Sequence, residues 1–145
     1  MAISRQGIGL TIMRMGFGVF FFFEGIAKLA WFTDASILSG RLHGWLAATG
    51  AAAPNRWYLE HVAIPGVSLF ARLVPLGELV SGVALLLGFM TPTFAFIAFF
   101  MALNFQFASG AIFAMSFLTS GYGLPVLGPM LALVMGGRKI PLSIR

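Results

Sequence analysis

Five ionisable residues, Arg14, Glu24, Lys28, Arg72 and Glu78, lie inside long apolar stretches of this 145-residue chain. A charge at bilayer depth is costly unless it is paired or reaches water, so such residues mark ion pairs, proton paths or ligand sites. Glu24 and Lys28 are four residues apart, in the order that favours an ion pair on one helix. Arg72, Pro75, Glu78 and Gly82 are expected on one face of a second helix, where Glu78 could pair with Arg72 or Arg14. A rise of about 1.5 Å per residue puts Glu24 about 24 Å, Lys28 about 30 Å, Glu78 about 18 Å and Arg72 about 27 Å from the inner edge. On the same scale Asn104, Gln106 and Tyr122 lie about 18 to 22 Å up, and Arg14 stands apart at about 9 Å. Glu24, Lys28, Arg72, Glu78, Asn104 and Tyr122 therefore form a candidate cofactor-binding site in the outer half of the bilayer. A carboxylate and a cation there suit a quinone head group and the protons it exchanges. The same residues suit pairs that only lock helices, or an ion path, and residue type leaves these alternatives open.

The elements that must position these residues follow from composition. Hydrophobic residues make up 59% of the chain and charged residues only 9%. A chain of this size exposes about a third of its unfolded surface, and that surface must here face lipid. Four membrane helices are expected, over residues 7–32, 68–90, 93–109 and 122–135, forming one all-α, integral membrane four-helix bundle over 1–145. Residues 110–121 either extend the fourth helix or form an interfacial turn. Residues 33–63 read as a long interfacial loop between helices 1 and 2, because Asp34, Arg41, His43, Arg56, Glu60 and His61 mix with Trp45, Trp57 and Tyr58. On the first helix Gly7, Thr11, Arg14, Gly18, Phe21, Gly25 and Lys28 alternate in steps of three and four, predicting a stripe that faces the bundle. Ile8, Ile12, Met15, Val19, Phe22 and Ile26 are expected to face lipid. Arg5, Arg138, Lys139 and Arg145 lie near the ends without acidic neighbours, so both termini are expected in the cytoplasm, with the chain in the inner membrane.

The sequence also excludes chemistry. It has no cysteine, which removes disulfides, iron–sulfur ligation and thiolate catalysis. Its 2 histidines are too few and too isolated to suggest a haem or metal site. No nucleotide-binding or nucleophile motif is present, and the 9 basic residues are scattered rather than interleaved with stacking aromatics, so nucleic acid is not an expected partner.

Two segments carry a likeness. The run from Leu10 through Arg14 to Gly16, continued by Phe23, Glu24, Gly25, Lys28 and Leu29, and the run Leu76-Gly77-Glu78-Leu79-Val80-Ser81-Gly82 leading to Leu87, Gly88, Phe89 and Thr91, resemble the DoxX/DoxD-like integral membrane proteins. The nearest flavour is the small subunit of thiosulfate:quinone oxidoreductase. The resemblance implies a four-helix membrane subunit of a quinone-linked oxidoreductase or electron-transfer assembly, inactive alone, with Arg14, Lys28 and Glu78 at the family's recurring polar positions. The alternative expectation is an accessory subunit of a larger respiratory or photosynthetic complex with lipid or pigment contacts only. A small transporter or channel is a third.

Overall fold

A computed structural model describes residues 4–144 of the chain. Two of the basic residues expected at the inner end, Arg145 and the side chain of Lys139, lie outside the described residues. All regular structure among the described residues is helical: α1 (Arg5–Ala27), a 3-10 turn (Leu29–Phe32), α2 (Ser36–Ala48), α3 (Pro54–Tyr58) with a π-helical turn (Leu59–Ala63), α4 (Val67–Leu87), α5 (Thr91–Ala108), 3-10 turns at Ala111–Phe113 and Met115–Leu118, and α6 (Leu124–Gly136) with a last turn at Gly137–Lys139.

Helices α1, α4 and α5 are long and apolar enough to cross a membrane, which makes this a multi-pass membrane protein. The fourth predicted span is a helix of 13 residues. At about 1.5 Å per residue α6 covers about 20 Å, less than the bilayer core of about 30 Å. Its start is set by Pro125, tolerated in the first turn where its missing N–H has no intrahelical role. Before it, residues 111–118 form short 3-10 turns rather than an extension of the helix.

The predicted loop over 33–63 is largely helical. Leu38 and Leu42 are one turn apart and buried in an apolar cluster with Trp31, Leu59, Ala63, Ala71 and Ala108, with Trp45 packed against it. Asp34 accepts a hydrogen bond from the Ser36 N–H at the head of α2 (2.9 Å), supplying an acceptor for one of the helix's free donors. Hydrogen bonding from the Ser36 side chain, and then from that backbone N–H, holds the Asp34 carboxyl below the usual carboxylate range. The polar residues of this segment masked a helical period of apolar ones.

Between the long helices, α1 and α4 make the most extensive contact. Their backbones nearly touch. A methyl group on Gly18 would lie 2.9 Å from the Leu86 nitrogen, one on Gly25 2.8 Å from the Leu79 nitrogen, and one on Gly82 2.5 Å from the Phe22 nitrogen. Small residues permit this approach where lipid supplies no hydrophobic drive between helices. The predicted α1 stripe is the buried one, with Thr11, Arg14, Gly18, Phe21 and Gly25 all buried, while Ile8, Ile12, Met15, Val19 and Ile26 are exposed. Phe22 is half-buried against Gly82.

From α4 the chain turns into α5 through Gly88 (φ 69°) and Met90 (φ 42°), and Pro92 follows in the first turn of α5. Helix α6 packs mainly on α5 and only lightly on α1. Near the two described ends of the chain the α1/α6 seam is closed by Leu10, which sits where a side chain on Gly136 would go. Gly7 meets Pro141, so the two described ends of the chain lie together.

Candidate functional site

The register of α1 on α4 builds the site. Gly18 faces Gly82 and Leu86, and Gly25 faces Pro75 and Leu79, so Glu24 and Glu78 lie almost level on the antiparallel pair. Side chains tilt toward the N-terminus of their own helix. Lys28, the residue that ends α1, therefore leans back toward both carboxylates from above.

The result is a closed ionic triad. Lys28 Nζ donates to Glu24 Oε2 at 2.7 Å and to both oxygens of Glu78 at 2.7 and 2.8 Å. An ammonium has three N–H donors, and all three are taken by carboxylate oxygens. Side-chain exposure is 11% for Lys28 and 6% for Glu78, against 29% for Glu24. Glu24 is thus the member that reaches outward. The Phe105 ring lies 5.7 Å from the Lys28 ammonium, adding a cation–π contact on its apolar side.

The triad opens onto a cavity of about 550 Å³. Its walls are Phe20 and Phe21 of α1, Trp31, Arg41 and Trp45 of the segment between α1 and α3, Phe105 and Gln106 of α5 with Ser109 just after it, and Ser120 and Tyr122 before α6. Gln106 is buried and donates from Nε2 to the Tyr122 carbonyl at 2.9 Å, holding the chain that leads into α6. The Tyr122 ring meets Phe20 at 5.9 Å, bridging α1 and the α6 approach where those helices otherwise diverge. Aromatic walls with a few convergent polar groups are the usual make-up of a site for a planar organic ligand.

Of the six residues expected to converge, Glu24, Lys28, Glu78 and Tyr122 line this cavity. Arg72 does not. It is exposed on α4, and Ala71 takes the buried position one residue earlier, on the face that carries Pro75, Glu78 and Gly82. Nor does Arg14 pair with Glu78; it lies in the N-terminal half of α1, against Gly88 at the end of α4. Asn104 faces a different space. Its amide exchanges two hydrogen bonds with Tyr58, Nδ2 donating to the phenol oxygen at 2.7 Å and the phenol donating to Oδ1 at 3.1 Å. Asn104 also lines a separate apolar groove between α4 and α5.

Arg41, Trp31 and Trp45 were not expected at the site. Arg41 and Trp45 are one helical turn apart on α2, and Arg41 lies over the buried Trp31 ring at 5.4 Å. The available signal was the period of Leu38, Leu42 and Trp45, which makes α2 a helix with one face against the bundle. Among the described residues no group of histidine and acidic side chains is arranged to hold a metal ion.

Comparison with known proteins gives a family. The DoxX family model matches residues 9–114, and the chain belongs to that family. Searches of curated proteins and of solved structures each gave no significant match.

Proposed function

We propose that this DoxX-family chain is the quinone-binding membrane subunit of an oxidoreductase or electron-transfer assembly, with the head group held in the cavity beside Glu24, Lys28 and Glu78. The observation that carries the reading is the pairing of a two-carboxylate, one-lysine cluster with an aromatic cavity of about 550 Å³. Quinone reduction takes up two electrons and two protons, and quinol oxidation releases them. Glu24, partly exposed and with one oxygen outside the Lys28 contact, is the carboxylate suited to give or take a proton at a ring oxygen. Glu78, bound through both oxygens, holds Lys28 in place and balances its charge. Electrons would come from a redox-active partner subunit, since the chain has no cysteine to ligate a cluster. The basic residues Arg5 and Arg138, near the ends, favour cytoplasmic termini in the inner membrane, with the cavity toward the outer face.

A second reading is favoured by the saturation of Lys28. A triad with every donor satisfied also suits a lock between α1 and α4 in an accessory subunit that binds lipid or pigment without chemistry. Turnover of the assembly purified with its partners separates the two. Under the quinone reading Glu24→Gln slows quinone turnover per intact assembly by about 100-fold or more, the scale of a lost acid–base group. Unchanged turnover per intact assembly, with a lower yield of assembly, would instead support the lock.

A further inference from the structure

Resting on the quinone reading, the structure assigns a ligand-gripping role to Arg41: we propose that its guanidinium donates hydrogen bonds to a ring carbonyl oxygen of the bound quinone. The argument begins with Lys28. Its three donors are consumed by Glu24 and Glu78, so the obvious cation of the cavity has none left for a ligand. A neutral ring with carbonyl acceptors needs a donor from elsewhere in the lining. Arg41 has five N–H donors and, among the described residues, makes no ion pair and no side-chain hydrogen bond.

Arg41 is exposed, and the ring it covers fixes its place. The guanidinium rests on the face of Trp31, a residue 3% exposed, and such stacking orients the plane while leaving the N–H edge free. Helix α2, which carries Arg41, is anchored by Leu38 and Leu42 in the outer apolar cluster and by Trp45, whose ring meets Phe105 edge-on at 6.0 Å. Phe105 is the ring beneath Lys28, so the arginine and the triad are tied through a short chain of aromatic contacts to one cavity. A ring between them offers one oxygen to Arg41 and the other to the Glu24 side. Planar recognition by a fork of donors also predicts that lysine cannot replace this arginine.

The test uses the full chain in lipid nanodiscs, titrated with the short-chain quinone decylubiquinone and followed by quenching of tryptophan fluorescence. Trp31 and Trp45 line the cavity and Trp57 does not, so a Trp57→Phe background isolates the signal. Saturable quenching is expected, with Arg41→Gln and Arg41→Lys each raising Kd at least about tenfold, the scale of a lost hydrogen bond from a charged donor. Arg72→Gln, an exposed arginine outside the cavity, should leave Kd unchanged, and each variant should keep the helical circular dichroism of the parent. Wild-type binding that survives Arg41→Gln overturns the assignment of Arg41 while leaving the cavity as the quinone site. A wild-type chain that shows only linear, non-saturating quenching overturns the quinone reading and the role of Arg41 with it. Inorganic sulfate in tenfold excess should not displace the quinone; displacement would make Arg41 an oxyanion site and would also overturn the assignment.

Discussion

Helix α1 carries one buried cation, Arg14, in its N-terminal half and is capped by another, Lys28, and the two are held in different ways. At the C-terminal end of α1 Lys28 is held by two carboxylates and lies beside a cavity. Toward the N-terminal side Arg14, 1% exposed, has one backbone partner: Nη2 donates to the Leu142 carbonyl at 3.0 Å, Nε and Nη1 are buried without a hydrogen-bond partner, and the guanidinium fills the space beside Gly88, where a Cβ would collide with it. Gly88 caps α4, so Arg14 also meets the negative end of that helix. The Thr11 hydroxyl donates chiefly to the Gly7 carbonyl at 2.8 Å, with the Pro141 carbonyl at 3.3 Å as a second, longer acceptor, and the Ile144 N–H donates to the Leu87 carbonyl at 3.3 Å. Carbonyls hold a charge in place but exchange no protons, whereas carboxylates beside an open cavity can. The difference separates a contact with the C-terminal segment from the place proposed for chemistry, although both cations sit on the same stripe.

The largest effect that tests this contrast is at Glu78. Glu78→Leu leaves the buried Lys28 with one carboxylate, and the loss should be about 3–5 kcal/mol, the usual result of removing one partner from a buried pair. Thermal unfolding in lipid nanodiscs measures it. The double variant Lys28→Met/Glu78→Leu should recover much of the loss, because no uncompensated charge remains; equal instability of single and double variants would deny that the triad is energetically coupled.

A smaller effect is expected at Arg14. Arg14→Met removes a charged donor to a carbonyl, worth about 1.5–3 kcal/mol, and should speed carboxypeptidase trimming of the C-terminal segment. Quinone Kd should not move. A raised Kd in Arg14→Met would merge the two ends into one functional unit and break the comparison.

The smallest effect concerns the element that carries Arg41. Asp34→Ala should speed amide hydrogen exchange over the first turn of α2 only. The hydrogen bonds from Ser36 lower the Asp34 pKa, so their contribution is complete above the ordinary carboxylate value and fades as pH falls through the lowered one. Exchange in the parent chain should therefore approach that of Asp34→Ala at acidic pH after correction for the intrinsic rate; a gap that persists there would place the effect elsewhere.

The α1 face was legible because glycine and polar residues recur there at helical spacing, and Glu24 with Lys28 followed from that spacing. The partner of Glu78 was not legible. Height alone put Arg72 level with Lys28, but which arginine or lysine meets Glu78 depends on the glycine contacts that set the α1/α4 register and on the rotation that buries Ala71 and leaves Arg72 outside. Asn104 had the right depth and the wrong direction, since one residue around α5 is about 100° and Phe105 takes the position next to the triad. Arg41 was hidden for another reason: a segment rich in charges and aromatics reads as interfacial loop, and its helical period becomes decisive only when Leu38 and Leu42 are seen to pack beneath Trp31. The short α6 reflects Pro125 and the glycine- and serine-containing stretch before it, which the span estimate located to within 2 residues at its start and 1 at its end, taking 122–135 against Leu124–Gly136.

The most direct test of the quinone site is covalent mapping with a short-chain quinone bearing an azide on the ring, photolysed with the chain in nanodiscs and located by peptide mass spectrometry. The account predicts adducts within residues 20–31, 41–45 and 105–122, which line the cavity, and their suppression by excess decylubiquinone. Adducts confined to the apolar groove of α4 and α5 around Phe96, Ile97 and Phe100, or spread evenly over the exposed faces, would contradict it.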